Sequence, residues 1–416
     1  MIEFTKFRLD NGLRVLVHED RSTPLVAMNI LYDVGSRDED PQSTGLAHLF
    51  EHLMFSGTPR IPEYDKHLEL AGGENNAFTN SDITNYYISI PAQNIETGFW
   101  LESDRMQSID FSERNLEVQK KVVTEEYNQR YLNQPYGDAM LLLRPLAYTM
   151  HPYKWPVIGS DIAHIEKTTI NEIKRFFFSY YAPNNAILSV TGNISTDKVF
   201  KLAEKWFGSV KKRQLKQRDL PVEPLQIHKR ILQVEREVPS SAIYMAWHMC
   251  RRNDPDFMTL DLITDLLSEG ESGRLYTKLI KKEKLFSEIS AYLTSDIDPG
   301  LIILHGKLMN GIEPEHAGER INEVINELTN KYAPASEIEK VKNKFEASAA
   351  IGNLNILNKA FNLAYFELLG NPGLVNKQVE LYRKTNRDSV IEISQKYFRE
   401  SNCSTIYYKS SGRNRQ

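Results

Sequence analysis

Residues 44–58 read TGLAHLFEHLMFSGT, and within them His48, Leu49, Phe50, Glu51 and His52 form an HxxEH sequence. Leu46, Leu49, Phe50, Leu53 and Met54 recur at three- and four-residue spacing, which predicts a helix over 45–55 with one apolar face. Thr44 is the expected N-cap and Gly57 the expected terminator. Positions i and i+4 of a helix lie one above the other, so His48 and His52 can aim imidazole nitrogens at one ion while Leu49, Phe50 and Leu53 pack inward. Two imidazoles and a carboxylate suit zinc at about 2.0–2.2 Å, with a fourth position open to water. Glu51 projects near that open position, where it can take a proton from the water. The expectation is about one zinc per chain.

A third ligand has to come from elsewhere. Residues 115–131, NLEVQKKVVTEEYNQRY, read as a helix and offer Glu125 and Glu126. Glu125 shares a face with Val118 and Val122, which the pattern puts in the core, whereas Glu126 falls on the polar face of Gln119. Glu126 is therefore the expected ligand. Cys250 and Cys403 stand in no CxxC pair, which leaves metal binding to histidine and carboxylate. The remaining histidines show no ligand spacing, and the aromatic run Phe176, Phe177, Phe178, Tyr180 and Tyr181 is expected to pack the core and a helix end.

Before the motif the chain alternates like strands, from Phe4 to Val17 and from Leu25 to Val34, around a polar turn at Asp20 to Thr23. After it come a turn at Gly72–Gly73, the strand TNYYISIPA and a long helical region from Asn94 to about Tyr131. At 211–224, KKRQLKQRDLPVEP is basic and then proline-marked, as in a linker or exposed strap. The second half echoes the first. FFFSYYAPNNAILSVTG resembles the C-terminal KYFRESNCSTIYYKSSG, and HLFEHLMFSG overlays DLITDLLSEG, with His52 on Asp265 and Gly57 on Gly270. Alternating strands and helices in each half predict an α+β fold of two similar domains, 1–212 and 228–416, joined by a linker at 213–227.

The 416 residues are 41% hydrophobic and 25% charged, enough for two or three cored domains. A net charge of −4 gives no footprint for nucleic acid or anionic membrane. No run reaches the roughly 18 apolar residues of a membrane span, and the N-terminus lacks the layout of a secretory signal. The expected location is cytoplasmic, or periplasmic if a leader has been removed.

With these motifs the sequence resembles the pitrilysin, insulin-degrading-enzyme and mitochondrial-processing-peptidase family of zinc peptidases, in its short bacterial type. The resemblance is carried by GLAHLFEHLMFSGT, NAFTNSDITNYY, VVTEEYNQRYLNQPYG, HPYKWPVIGS and YYAPNNAILSVTGN, in the family's order. It implies two similar domains of mostly antiparallel sheet flanked by helices. It also implies a zinc metalloendopeptidase or oligopeptidase that hydrolyses unfolded peptides or small proteins in a closed chamber, with His48, His52 and Glu126 on zinc and Glu51 as base. Registering NQPYG on the family's pattern puts the third ligand on Glu126, in agreement with the face argument. Gln119 stands where many members carry a second acid. In family members the substrate adds as a strand to a sheet edge beside the zinc. Here that edge is Asn75 to Thr79, with Asn76, Ala77, Phe78 and Thr79 as substrate-binding residues and Asn76 as the side chain expected to bond the peptide.

Active relatives also place an Arg and a following Tyr opposite the zinc, from the C-terminal half or from a partner. SGRLYTKLIKKEKLFSEIS resembles that region, with Ile280 at the Arg position and Ser287 at the Tyr position. The resemblance therefore implies a heterodimer in which this chain bears the zinc and a homologous partner subunit supplies Arg and Tyr; a homodimer is the other arrangement. The rival reading is a scaffold or assembly subunit of the same fold without turnover. Such members usually lose the motif, which is intact here.

Overall fold

The structure, a computed structural model, describes residues 1–411. Strands β1 (Thr5–Arg8), β2 (Arg14–Glu19) and β3 (Leu25–Tyr32) open the chain. Helices α1 (Leu46–Met54) and α2 (Tyr64–Leu70) lead to the hairpin β4 (Glu74–Thr79) and β5 (Thr84–Pro91). Then come α3 (Ile95–Gln107), α4 (Glu113–Tyr127), α5 (Ala139–Ala147), α6 (Ile162–Lys167), α7 (Ile170–Tyr180), β6 (Ala186–Gly192) and α8 (Thr196–Phe207). The second half runs β7 (Arg230–Arg236), β8 (Ala242–His248), α9 (Asp256–Ser268), β9 (Phe286–Leu293), β10 (Leu301–Leu308) and α10 (Pro314–Asn330). It closes with α11 (Ala335–Gly352), α12 (Ile356–Leu368), α13 (Gln378–Arg383), α14 (Arg387–Tyr397) and β11 (Cys403–Ser410). No helix among the described residues is long and apolar enough to cross a membrane.

Two expected elements are subdivided. Phe4 to Val17 is a hairpin, because the chain reverses between Leu9 and Leu13, where Gly12 holds the left-handed φ of 95°. The helical region after Asn94 is two helices, because Asp110 Oδ1 accepts the Ser112 N–H at 3.0 Å and so offers the backbone a turn in place of another helical bond.

The first sheet has the order β1-β2-β6-β3-β5-β4, antiparallel except for β2 against β6. The second has the order β7-β11-β8-β10-β9, antiparallel except for β7 against β11. Without β1 the two orders correspond strand for strand. In each half the parallel pair joins the first shared strand to the last, and α1 and α9 follow equivalent strands, β3 and β8. These are the two similar α+β units expected from the internal repeat; Gly412, the last position of the quoted C-terminal echo, lies outside the described residues.

Contacts group the chain into two compact units that are discontinuous in sequence. The first comprises Met1–Tyr127, Trp155–Leu220 and Ala349–Lys377; the second comprises Asn128–Lys154, Pro221–Ser348 and the residues from Gln378 on. Each unit is thus completed by a helix from the other half. In the first, α12 covers one face of the sheet, with Leu363 and Ala364 in an apolar cluster with Leu16, Leu31 and Ile187. Lys359 pairs with Asp20 at 2.6 Å, and Asn376 exchanges two hydrogen bonds with the Ile2 backbone at 2.7 and 2.8 Å. In the second, α5 lays Ala139, Leu143 and Ala147 on Ala242, Ala246 and Ile406. The basic run at 211–220 lies on the first unit. Arg213 donates to the Phe177 and Tyr181 carbonyls at 3.0 and 2.7 Å, and Arg218 pairs with Asp38 at 2.8 Å and Asp33 at 3.1 Å.

Candidate metal centre

Helix α1 buries Leu46, Leu49, Phe50, Leu53 and Met54. The Phe50 ring packs against Tyr181 at 4.2 Å and Phe177 at 5.8 Å between centroids, so the aromatic run of α7 backs the helix. Phe178 alone of that run is exposed. With one face fixed, His48, Glu51 and His52 occupy the other. The N-terminus differs from expectation: the N-cap is Gly45, in the left-handed conformation at φ 87° and without a side-chain cap of its own. A Cβ there would lie 2.6 Å from the Ile158 carbonyl oxygen and 2.7 Å from Ile165 Cδ1, so only glycine fits. The Thr44 hydroxyl is turned away, bonded to Ser160 Oγ at 3.0 Å and His164 Nδ1 at 2.8 Å.

Helix α4 packs beside α1 and buries Leu116, Val123 and Tyr127. Its Glu126 Oε2 lies 3.7 Å from His48 Nε2 and 3.5 Å from His52 Nε2, and the three side chains are 14%, 24% and 18% exposed for His48, His52 and Glu126. Among the described residues these three form the one group of His, Cys, Asp or Glu whose ligand atoms all lie within 4.8 Å of one another. Ligands at about 2.0–2.1 Å from a tetrahedral zinc stand about 3.3–3.5 Å apart, so the donor set suits that ion and the spacings of 3.5 and 3.7 Å come close to it. Glu125 points outward. Val118 and Val122 on its face are exposed, contrary to the core role the pattern gave them, because α4 buries the adjoining stripe instead. Gln119 Nε2 donates to Ser56 Oγ at 3.1 Å, just beyond the end of α1.

Glu51 sits beside this group. Burial raises its carboxyl above the ordinary range and the Glu126 charge adds to the rise, while a hydrogen bond from Thr79 and the nearness of His52 lower it. That hydrogen bond, from the Thr79 hydroxyl to Glu51 Oε2, was not foreseen. Among the described residues strand β4 pairs only with β5 and ends the sheet, so no strand of theirs pairs with its outer backbone edge. Along it, Asn75 Nδ2 donates to Asp65 Oδ1 at 2.9 Å and Asn76 Oδ1 accepts the Ala77 N–H at 2.8 Å. Phe78 points to the opposite face from Thr79 and meets Phe361 of α12 at 5.5 Å.

At the equivalent place in the second unit, α9 carries Asp261 and Asp265. Asp261 Oδ2 accepts the Tyr382 hydroxyl at 2.6 Å, and Lys344 bridges Asp265 and Glu269 at 3.1 and 2.7 Å. Burial raises both aspartates, and their partners are a phenol and an ammonium rather than further ligands. Ile280 packs against this unit's core, Ser287 Oγ donates to the Lys307 carbonyl at 3.3 Å, and Arg274 is paired with Glu337 at 2.9 Å.

Known proteins share both halves. Residues 14–159 match the family model Insulinase (Peptidase family M16), and residues 167–345 match Peptidase M16 inactive domain. Over 413 residues the chain is 29% identical to the zinc protease PqqE of Helicobacter pylori, covering 96% of this chain and 91% of that protein. The crystal structure of a protease from Helicobacter pylori superposes with a TM-score of 0.92 at 27% identity, over 98% of this chain and all of the other. The periplasmic protease PqqL from Escherichia coli shares the fold at a TM-score of 0.80 and 18% identity, and there 98% of this chain covers only 48% of the other. The two family models between them match residues of both units, and the chain belongs to peptidase family M16, the insulinase family.

Proposed function

We infer that the chain is a zinc metallopeptidase that hydrolyses peptide bonds of unfolded peptides or small proteins, as the metal-bearing subunit of a heterodimer. The convergence of His48 Nε2, His52 Nε2 and Glu126 Oε2, with Glu51 beside them, carries this reading. His48, His52 and Glu126 would hold zinc, which would supply Lewis acidity and make a water at the site more acidic. Glu51 moves the proton. Its Oε2 is held by Thr79, which leaves Oε1 to accept a proton from the attacking water. As the water oxygen bonds to the carbonyl carbon and the C–N bond breaks, Glu51 delivers that proton to the departing amine nitrogen. The edge of β4 from Asn75 to Thr79 binds the peptide by main-chain pairing, which demands an extended substrate and tolerates many sequences.

The heterodimer follows from what the second unit offers. Ile280 and Ser287 supply neither guanidinium nor phenol, and Arg274 is committed to Glu337. A second copy of the chain brings the same residues, so the Arg and Tyr that stabilise the developing oxyanion come from a homologous, different partner. PqqL, in which this chain's length covers 48%, has room in one polypeptide for two such pairs of units. The test is to assay an unstructured peptide with the chain alone and with a homologue encoded beside it. The expected result is that the pair cleaves at least about 10²-fold faster, with Glu51 required. Robust Glu51-dependent cleavage by the chain alone, unchanged by the partner, would overturn the heterodimer; no cleavage and no zinc in either preparation would favour the scaffold.

A further inference from the structure

The N-terminus of α1 is held from outside the helix. Glu39 Oε2 accepts the Gly45 N–H at 2.9 Å and Oε1 accepts the Ala47 N–H at 2.8 Å, and the side chain is buried. The first turn of a helix leaves its N–H groups without intrahelical partners and carries the positive end of the helix dipole, so a carboxylate there is both acceptor and counter-charge. Burial raises this carboxyl and the Asp38 charge adds to the rise, the N–H donor on each oxygen lowers it, and on balance it is pushed up to about 8. Ala47 is followed directly by His48.

Glu39 is itself fixed. The preceding loop is pinned by Trp155 Nε1 on the Ser36 carbonyl at 2.9 Å, by Arg37 on Asp82 at 2.6 Å and by Arg218 on Asp38 at 2.8 Å. Its backbone also pairs with residues just after β4, Ser36 N–H to Asn80 O at 3.2 Å and Arg37 N–H to Ser81 O at 2.9 Å. The loop therefore ties the end of the strand that contains Thr79 to the start of the helix that contains His48, Glu51 and His52.

We propose that Glu39 is a positioning residue: its two carboxyl oxygens, which accept the Gly45 and Ala47 N–H groups, set the placement of the first turn of α1 and thereby aim His48 at the metal. This rests on α1 being the metal helix, and the test separates the two claims. A metal site tolerates misplacement of only about 0.5 Å, and loss of a group that orients a ligand typically weakens metal binding about 10–100-fold. Glu39→Gln keeps the shape but sets an amide N–H against a backbone N–H. In the full chain, zinc affinity is read by competition with a chelator, and amide hydrogen exchange is followed at residues 45–49 and, as reference, in β5 and β6. The expected result is about 10–100-fold weaker zinc binding, with exchange about tenfold faster at 45–49 and unchanged in the reference strands. Wild-type zinc affinity, unchanged exchange at 45–49, or equal acceleration everywhere would each overturn the proposal. If wild type and His52→Ala bind zinc alike, the metal reading falls, while exchange at 45–49 still decides whether Glu39 holds the turn.

Discussion

The hydroxyl of Thr79 donates to Glu51 Oε2, so the last residue of the edge strand β4 and the residue proposed as base are joined by one hydrogen bond. Thr79→Val removes the donor while keeping the shape. The expected outcome is a kcat lowered about tenfold with zinc content unchanged, and recovery in Thr79→Ser, the steady-state kinetics being the check.

How much of this was legible in the sequence differs from residue to residue. The α1 motif was, because its periodicity and the His48–His52 spacing are properties of one helix. Glu126 was reached by its helix face and by family register, although Val118 and Val122 turned out to face solvent. Glu39 was not, since a cap normally adjoins its helix and this one reaches across a loop to Gly45 and Ala47. The placement of α12 was hidden for a related reason. Apolar spacing at Ala360, Leu363 and Ala364 says that a face is buried, but not that the sheet burying it belongs to the other half of the chain.

That exchange makes the stability of the first sheet depend on a distant part of the sequence. Leu363→Ala should cost about 2–5 kcal/mol, and hydrogen exchange should accelerate in β3 and β6, the strands that α12 covers. Exchange confined to the second sheet would contradict the assignment of α12 to the first unit.

The same contact is pH-sensitive. Lys359 and Ser22 hold the Asp20 carboxyl well below the usual carboxylate range, the bond from Lys359 being the larger cause. A depressed carboxyl contributes stability that is present above its unfolded value, near pH 3.9, and is lost as pH falls toward the folded value. Lys359→Met should therefore lower stability at pH 7 by about 1–3 kcal/mol and flatten its decline below about pH 4, as read by denaturant titration at several pH values. An acid slope identical to that of the wild type would rule the pair out as its source.

Glu125 and Glu126 offer a matched comparison on one helix. Glu126→Gln should lose zinc, whereas Glu125→Gln, altering an exposed carboxylate, should keep both zinc and cleavage. The opposite pattern would place the ligand on the wrong face of α4.

The central claim, zinc on His48, His52 and Glu126 with Glu51 as base, is tested most directly by zinc content after equilibrium dialysis of the wild type, His52→Ala, Glu126→Ala and Glu51→Gln, each assayed on an unstructured peptide with the partner present. The expected result is about one zinc per wild-type chain, affinity reduced about 10–100-fold in the two alanine variants, and full zinc with turnover reduced about 10²–10⁴-fold in Glu51→Gln. Undiminished zinc in both His52→Ala and Glu126→Ala, or wild-type turnover in Glu51→Gln, would contradict it.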